Sequence, residues 1–305
     1  MVSLSDIKKF FRGKILLDEP LSKYTWMRVG GAADYYVEPA DKNDLVEIAK
    51  YFQRNGFPFL ILGRGSNVLV SDDGIRGAVI NLEIALSGIR AEGERVVAEA
   101  GVWLQKFVDF CIQRDLADVE MLAGIPGTIG GAVVMNAGAH GGEISKHLVD
   151  VEILRGCEIM RVAKEDGEFS YRHSAFEKDV VLSASFDLPK GNRENLVKRR
   201  RELILKRNET QPLELPNSGS MFKNPPNTFA AKLIEQAGLK GKKIGSAQIS
   251  EKHANFIVNL GTARATEIVQ LLELARRTVY QNSGIEMELE VKLIGFQAKA
   301  NGLMP

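Results

Sequence analysis

Two glycine-rich segments have compositions suited to contact with a phosphate or a large planar group. The first, Gly63-Arg64-Gly65-Ser66-Asn67, directly follows a short apolar segment. A tight turn of this kind brings backbone N–H groups toward a phosphate, and Ser66 and Asn67 add side-chain donors. The segment begins like a dinucleotide-binding loop, but Val68 replaces the third glycine and a strand, not a helix, is predicted next. Spacing alone therefore leaves an ordinary tight turn open beside a phosphate site.

The second segment has seven glycines between positions 124 and 142 and begins Gly124-Ile125-Pro126-Gly127-Thr128-Ile129-Gly130-Gly131-Ala132. No Gly-Lys-Ser/Thr sequence closes it, so it is not a nucleoside-triphosphate loop. Its apolar residues argue against a flexible linker. Because so many glycines lose conformational entropy on ordering, we expect them to admit a bulky ligand. Tight packing of two elements is the alternative.

Three further side chains, Arg172, Ser220 and Glu290, have groups that could take part in a reaction, and each also has an ordinary structural explanation. Arg172 could clamp a carboxylate through its guanidinium, but the residues alone favour the alternative, an arginine at the surface or in a salt bridge. Ser220 lies in a turn-rich loop without a Gly-x-Ser-x-Gly elbow, so a hydrolase nucleophile is not indicated. Glu290 lies on the polar face of the last predicted strand together with Glu286 and Glu288, where a solvent-exposed carboxylate is the alternative.

The charge and cysteine content exclude several classes of protein. The 305 residues include 40 basic and 39 acidic side chains, a net charge of +1, which argues against non-specific nucleic-acid binding. No apolar run reaches the length of a membrane span, and the N-terminus has no apolar stretch of signal-peptide length. Cys111 and Cys157 are far apart, and the four histidines show no paired spacing. We expect a cytoplasmic protein with buried, unpaired cysteines and no metal site.

Basic residues are concentrated in one predicted helix, as Lys198-Arg199-Arg200-Arg201 and Lys206-Arg207. A solvent-exposed helix face, contact with a diphosphate and nucleic-acid binding are the alternatives, and the balanced total charge disfavours the last. Lys240-Gly241-Lys242-Lys243 is interpreted as a surface turn.

The elements that must position these residues indicate a mixed α/β and α+β chain. Strands are predicted over 34–39, 59–62, 68–70, 78–82, 96–100, 149–154, 158–162, 180–188, 256–258 and 285–293. Helices are predicted over 43–55, 103–116, 194–208, 228–237 and 266–282. Residues 1–82, 83–190 and 191–305 are predicted as domains, and the polar segment 189–196 marks the last boundary.

Five segments together resemble the UDP-N-acetylenolpyruvoylglucosamine reductases, which belong to the FAD-binding superfamily of p-cresol methylhydroxylase and vanillyl-alcohol oxidase. The segments are Gly63–Val70, Gly124–Gly131, Tyr171–Ser174, Gly219–Pro225 and Glu288–Val291. The two glycine segments alone indicate only the superfamily, whereas all five in this order are specific to the reductases. The resemblance implies a two-subdomain FAD-binding module, with FAD between residues 1–82 and 83–190, followed by a C-terminal α+β substrate-binding domain.

The resemblance also implies the reaction. NADPH reduces FAD, and UDP-N-acetylglucosamine enolpyruvate then takes a hydride and a proton to give UDP-N-acetylmuramate, a peptidoglycan precursor. We expect a monomeric cytoplasmic enzyme that binds neither nucleic acid nor membrane. The cofactor-binding residues that the resemblance implies are Gly63, Arg64, Gly65, Ser66, Asn67, Gly124, Ile125, Pro126, Gly127, Thr128, Gly130, Gly131 and Ala132.

The resemblance assigns three catalytic roles. Arg172 binds the substrate carboxylate and stabilises the enolate-like intermediate, Ser220 donates the proton, and Glu290 assists one or both. Because an unperturbed serine hydroxyl is a weak acid, Ser220 needs a partner, and Lys223 is a candidate by sequence proximity. The substrate-binding residues that the resemblance implies are Tyr171, Gln211, Asn224 and His253.

Two departures and two rival functions qualify the resemblance. His140 stands where the family has a tyrosine, and the segment between Arg172 and Ser220 is too short for the extra strand-helix unit of one subtype. How the substrate diphosphate is covered is therefore left open. The rival functions are another FAD-dependent oxidoreductase of the superfamily and a non-catalytic flavin-binding module.

Overall fold

The computed structural model describes residues 2–296, so residues 297–305 of the predicted C-terminal domain lie outside the described part. Two compact units are formed from interleaved segments of the chain. One contains the residues up to Leu17, Tyr35–Arg64 and Gly77–Arg207. The other contains Asp18–Asp34, Gly65–Arg76 and the described residues from Asn208 onward. The division into three domains stays a prediction.

The described chain contains both helices and short strands. The helices are α1 (Leu4–Ile7), α2 (Lys42–Arg54), α3 (Leu104–Ile112), α4 (Ile129–Val134), α5 (Arg193–Thr210), α6 (Ala230–Gln236) and α7 (Ala265–Ser283). The strands are β1 (Lys14–Pro20), β2 (Ala32–Glu38), β3 (Phe59–Leu62), β4 (Val68–Val70), β5 (Ile75–Asn81), β6 (Ile89–Glu92), β7 (Arg95–Glu99), β8 (Gly138–Ala139), β9 (Gly142–Glu143), β10 (Leu148–Arg155), β11 (Glu158–Ala163), β12 (Val180–Asp187), β13 (Lys243–Ile244), β14 (Ala247–Ile249), β15 (Ile257–Asn259) and β16 (Lys292–Ile294).

The first unit is organised around two sheets. A four-stranded sheet of order β1-β2-β5-β3 lies mainly within its residues, and a five-stranded antiparallel sheet has the order β11-β10-β12-β7-β6. Helix α2 buries Leu45, Ile48 and Phe52 in the core of this unit. Its N-terminus is capped by the Asp41 side chain, which accepts a hydrogen bond from the Asp44 N–H.

The second unit is organised around α7, which buries Ile268, Leu272 and Val279 in a separate core. The three-stranded antiparallel sheet β13-β14-β15 belongs to this unit. Strand β4 pairs in parallel with β16, with Leu69 opposite Leu293. This pairing joins the exit of the first glycine segment to the segment that carries Glu290. Gly284, with φ of 69°, ends α7 in the left-handed conformation that glycine adopts without steric cost.

Several predicted elements differ from the structure. The alternation of Ile285–Leu293 is real in burial, but only Lys292–Ile294 forms a strand, because the rest has a single isolated bridge from Leu289 to Phe222. The helix predicted to Leu116 ends at Ile112, since Asp115 has a positive φ of 61°. Cys111 is buried as expected, whereas Cys157 is exposed at the β10–β11 turn.

Candidate functional site

The two glycine segments meet in the first unit. A Cβ added to Gly63 would lie 2.7 Å from Oγ1 of Thr128, so the Thr128 side chain lies directly against the backbone of Gly63. The carbonyl oxygen of Gly63 accepts a hydrogen bond from Asn81 Nδ2 at 3.2 Å. Thr128 also caps α4 by accepting from the Gly131 N–H. The sequence predicted neither this meeting nor the short helix inside the second segment.

An exposed tryptophan lies at this meeting point. Trp103 forms an isolated bridge with Thr128, and the guanidinium of Arg64 lies 3.7 Å from the centroid of its ring. A cation placed over an aromatic face in this way is attracted by the ring quadrupole. Trp103 is 45% exposed, so nearly half of its large aromatic surface is open to solvent. Sequence reasoning placed Trp103 on a helix and gave it no functional role.

The second glycine segment holds the turn that carries Arg172. Asn136 Nδ2 donates to the Ser170 carbonyl oxygen at 2.9 Å, and Arg172 Nη2 donates to the Gly138 carbonyl oxygen at 3.0 Å. Ser174 Oγ donates to the Val134 carbonyl oxygen at 2.9 Å. Arg172 itself has a φ of 58°, a conformation that is uncommon for a residue with a side chain. The surrounding hydrogen bonds therefore hold a strained residue in place, as is typical of functional turns.

In the second unit, the segment after Ser220 is bonded to the segment that contains Glu290. The Glu290 N–H donates to the Met221 carbonyl oxygen at 2.8 Å, and the Lys223 N–H donates to the Glu288 carbonyl oxygen at 2.9 Å. Upstream, Asn217 Oδ1 accepts from the Gly219 N–H at 3.0 Å. Two of the three predicted catalytic residues, Ser220 and Glu290, thus lie on adjacent backbone segments.

The three glutamates of the last segment differ in their surroundings. Glu288 is 71% exposed and pairs with Lys223 at 2.5 Å, and Glu286 is 79% exposed and pairs with Arg276. Glu290 is half-buried, unlike these two exposed neighbours. Lys223, expected as a partner of Ser220, therefore has the Glu288 carboxylate as its ion-pair partner. Of the three carboxylates, Glu290 is the one with the least solvent around it.

The first glycine segment contacts the backbone on both sides of Val291. Asn67 Nδ2 donates to the Glu290 carbonyl oxygen at 3.1 Å, and the Asn67 carbonyl oxygen accepts from the Lys292 N–H at 3.0 Å. A predicted cofactor-binding residue thus also fixes the backbone of a predicted catalytic residue that is far away in sequence.

Comparison with known proteins gives matches over nearly the whole chain. A family model described as UDP-N-acetylenolpyruvoylglucosamine reductase, C-terminal domain, matches residues 211–294, and an FAD binding domain model matches residues 33–163. The UDP-N-acetylenolpyruvoylglucosamine reductase of Chloroherpeton thalassium is 46% identical over 97% of this chain and 98% of its own. That of Clostridium kluyveri is 42% identical over 92% of this chain and 93% of its own.

This chain belongs to the UDP-N-acetylenolpyruvoylglucosamine reductase family. The crystal structure of the family member from Thermus caldophilus superposes with a TM-score of 0.78 at 32% identity and covers 93% of this chain and 100% of that one. The resemblance read from the five sequence segments is confirmed, and so is the predicted fold, an FAD-binding module followed by a C-terminal domain. The FAD binding domain match contains both glycine segments, and the C-terminal match contains Ser220 and Glu290.

The structure offers a test of whether the glycine segments of this reductase family member suit a cofactor. A Cβ on Gly124 would lie 2.8 Å from the Arg207 side chain and one on Gly130 would lie 3.0 Å from Ala100, so a side chain at either position would press on the chain itself. Gly131 is different, because its nearest neighbour would be Thr128 Oγ1 at an ordinary 3.7 Å. An exposed helical glycine that its own chain does not require suits close approach by a bound group. The residues therefore fit FAD.

Four side chains of the second unit have a buried polar atom for which the described residues supply no hydrogen-bond partner. They are Gln211 Oε1, Ser218 Oγ, His253 Nδ1 and Glu273 Oε1. Burial lowers the pKa of His253, whose ring packs edge-on against Phe256 at 4.7 Å. Buried polar atoms normally have partners, so such atoms are candidates for contact with a ligand or water. Asn224, by contrast, uses its Oδ1 to accept from the Ala230 N–H at the start of α6.

Some basic side chains of helix α5 contact other parts of the chain, and others are exposed to solvent. Arg200 pairs with Asp109, and Arg207 packs against Gly124, where burial lowers its pKa to about 10. Lys198 and Arg201 are exposed, which agrees with the interpretation of a solvent-exposed face. His140, the departure from the family pattern, lies close enough to α5 for its pKa to be lowered, first by partial burial and then by Lys206, Arg199 and Arg207.

In residues 2–296, no helix is long and apolar enough to span a bilayer. The same residues contain no group of three or more His, Cys, Asp or Glu side chains arranged to hold a metal ion.

Proposed function

We propose that this chain is an NADPH-dependent flavoenzyme of the bacterial cytoplasm, acting as a monomer. It reduces UDP-N-acetylglucosamine enolpyruvate to UDP-N-acetylmuramate in the synthesis of peptidoglycan precursors. The observation that carries the proposal is full-length similarity to reductases of that name, combined with the pairing of the Ser220 and Glu290 segments. Another oxidoreductase of the superfamily would not be expected to match the reductase C-terminal domain over residues 211–294.

The FAD would be held by the glycine segments around Gly63 and Thr128, with Gly131 leaving room beside α4. When bound, FAD would supply the hydride-transfer chemistry that couples NADPH oxidation to reduction of the substrate alkene. The backbone N–H groups of tight glycine turns suit its diphosphate. Arg64 and Trp103, which stack on each other beside Thr128, would line one side of this site.

Hydride addition to one alkene carbon leaves a carbanion on the carbon next to the carboxylate. Arg172 would bind that carboxylate and stabilise the enolate-like charge, because its guanidinium is always ionised and offers paired donors. Its strained turn is held by Asn136, Ser174 and the Gly138 carbonyl oxygen, so the guanidinium is positioned before substrate arrives.

Ser220 would donate its hydroxyl proton to the carbanion carbon, which completes the addition of H⁻ and H⁺ across the double bond. Glu290 would assist charge stabilisation or proton delivery from the adjacent segment. The buried atoms of Gln211 and His253 would face the substrate, together with Tyr171 and Asn224. The proposal keeps the predicted roles, and the neighbouring hydrogen bonds and burial support them.

The proposal is tested by following the two half-reactions separately in FAD-loaded protein. NADPH should bleach the flavin absorbance, and UDP-N-acetylglucosamine enolpyruvate should restore it. Ser220→Ala should be reduced by NADPH at the normal rate but reoxidised slowly by the enolpyruvyl substrate. An equal loss in both half-reactions would count against the proton-donor role. A protein that binds FAD but shows no substrate-dependent reoxidation would refute the specific function.

A further inference from the structure

Asn255 makes three hydrogen bonds to the two residues that follow Ser220. Its side chain accepts from the Phe222 N–H at 3.0 Å through Oδ1 and donates to the Phe222 carbonyl oxygen at 2.8 Å through Nδ2. Its backbone carbonyl oxygen accepts from the Met221 N–H at 2.8 Å. Asn255 is 3% exposed, so these bonds are shielded from water. A single buried residue therefore satisfies Met221 N–H and both backbone groups of Phe222.

The other side of the same segment is bonded to Glu290. The Met221 carbonyl oxygen accepts from the Glu290 N–H, which places Met221 between Asn255 and Glu290. On the N-terminal side of Ser220, Asn217 holds Gly219, whose φ is 76°. Ser220 thus lies between Gly219 and Met221, whose backbones are both held by hydrogen bonds. The bond between Met221 and Glu290 sets the position of Ser220 relative to Glu290.

We propose that Asn255 is a positioning residue for Ser220, which it places for proton donation by fixing Met221 and Phe222. This inference rests on the proposed function, in which Ser220 is the proton donor. Removing the Asn255 amide leaves the N–H and C=O of Phe222 without partners in a buried place, so the segment must move to satisfy them. Misplacement of a reacting group by about 1 Å can slow a reaction about 100-fold. The loss should fall on the step that needs the proton.

The experiment compares half-reactions in the FAD-loaded full chain of Asn255→Ala. Reduction by NADPH should stay within about twofold of the unchanged protein, because Ser220 has no part in it. Reoxidation by the enolpyruvyl substrate should slow by about 10- to 100-fold. The solvent deuterium isotope effect on reoxidation should rise, since proton transfer then limits the rate. A purely structural role would not produce this split or this isotope effect.

Asn259 provides a matched control on the neighbouring strand. It is 2% exposed, and its side chain makes three hydrogen bonds to backbone groups, with Met27, Gly261 and Ala263, one more than the side chain of Asn255 makes. Asn259→Ala should therefore lower thermal stability at least as much as Asn255→Ala while leaving the ratio of the two half-reaction rates unchanged. If Asn255→Ala does not fold, Asn255→Asp keeps the acceptor for the Phe222 N–H and loses the donor to its carbonyl oxygen. It should show the same selective slowing.

The double variant Ser220→Ala/Asn255→Ala separates the outcomes. If Asn255 acts through Ser220, its substitution should slow reoxidation little further once the hydroxyl is gone. Fully additive losses, equal slowing of both half-reactions, or unchanged reoxidation in Asn255→Ala would each overturn the inference. If Ser220→Ala alone leaves reoxidation fast, the proposed proton-donor role fails instead. If Ser220→Ala is slow and Asn255→Ala is fast, only the inference about Asn255 fails.

Discussion

Gly131→Ala is expected to weaken FAD binding without lowering the stability of the apoprotein. A Cβ at this helical position would meet only Thr128 Oγ1, at 3.7 Å, so the apoprotein has room for it. Alanine is more favourable than glycine inside a helix by about 0.5–1 kcal/mol. We therefore expect the apoprotein to be as stable as before or slightly more stable, with the midpoint of thermal unfolding raised by about 2 °C or less.

FAD binding should move in the opposite direction. If the cofactor contacts the backbone at Gly131, an added methyl group overpacks the interface, which costs about 1–3 kcal/mol. That penalty corresponds to about a 5- to 150-fold loss of affinity. Titration of the apoprotein with FAD, followed by flavin fluorescence, measures the dissociation constant. Thermal unfolding of the apoprotein, followed by circular dichroism, measures the stability.

Gly130→Ala is the control, because it changes the adjacent residue of the same helix. Its Cβ would lie 3.0 Å from Ala100 Cβ and 3.3 Å from the Ala100 carbonyl oxygen, so the apoprotein itself should be destabilised. Wild-type FAD affinity in Gly131→Ala would refute the reasoning. So would an apoprotein of Gly131→Ala that is destabilised as much as that of Gly130→Ala.

Three further predictions concern single side chains. Glu290→Gln should lower the turnover of the enolpyruvyl substrate at least tenfold, whereas Glu288→Gln, at an exposed ion pair, should retain nearly full turnover in the same steady-state assay. FAD binding should quench the emission of Trp103, and a Trp103→Phe variant should lose that part of the quenching. Burial lowers the pKa of His253, so just below pH 6.5 the unfolded chain binds more protons than the folded chain. The free energy of unfolding should therefore rise with pH in this range and level off above it. Urea unfolding between pH 5 and 8 should show this slope, and His253→Asn should reduce it.

Local patterns were enough to predict most of the regular elements. The apolar spacing of Leu45, Ile48 and Phe52 predicted α2, and the structure buries all three in one core. Strand β3 was predicted with its bounds as the structure has them. Such elements follow from periodicity because each buries one face of its own sequence. Alternation failed for Ile285–Leu293, because burial alternates along any extended segment, whereas a strand also needs a partner backbone.

The meeting of distant segments could not be read from the sequence. Nothing in the composition of either glycine segment shows that Gly63 touches Thr128, and helix α4 is masked by the glycines that weaken helical signals. The sequence likewise did not show which of Glu288 and Glu290 is the catalytic candidate, because both lie on the same face of the predicted strand. Their difference comes from Lys223, which pairs with Glu288 across a long loop. The family resemblance assigns the catalytic role to Glu290, whereas spacing alone does not choose between the two glutamates.

Asparagine side chains hold the backbone near the predicted catalytic residues in both units. Sequence patterns do not predict these contacts. The short amide of asparagine donates and accepts at once, so one side chain can replace a missing strand partner for an irregular segment. Asn255 donates and accepts in this way for the segment after Ser220, whereas Asn136 donates to the Arg172 turn and Asn67 donates to the Glu290 segment. Each predicted catalytic residue therefore lies on irregular backbone that a buried or half-buried amide holds in place. Substitution of these amides should consequently affect the reaction more than substitution of equally buried apolar residues.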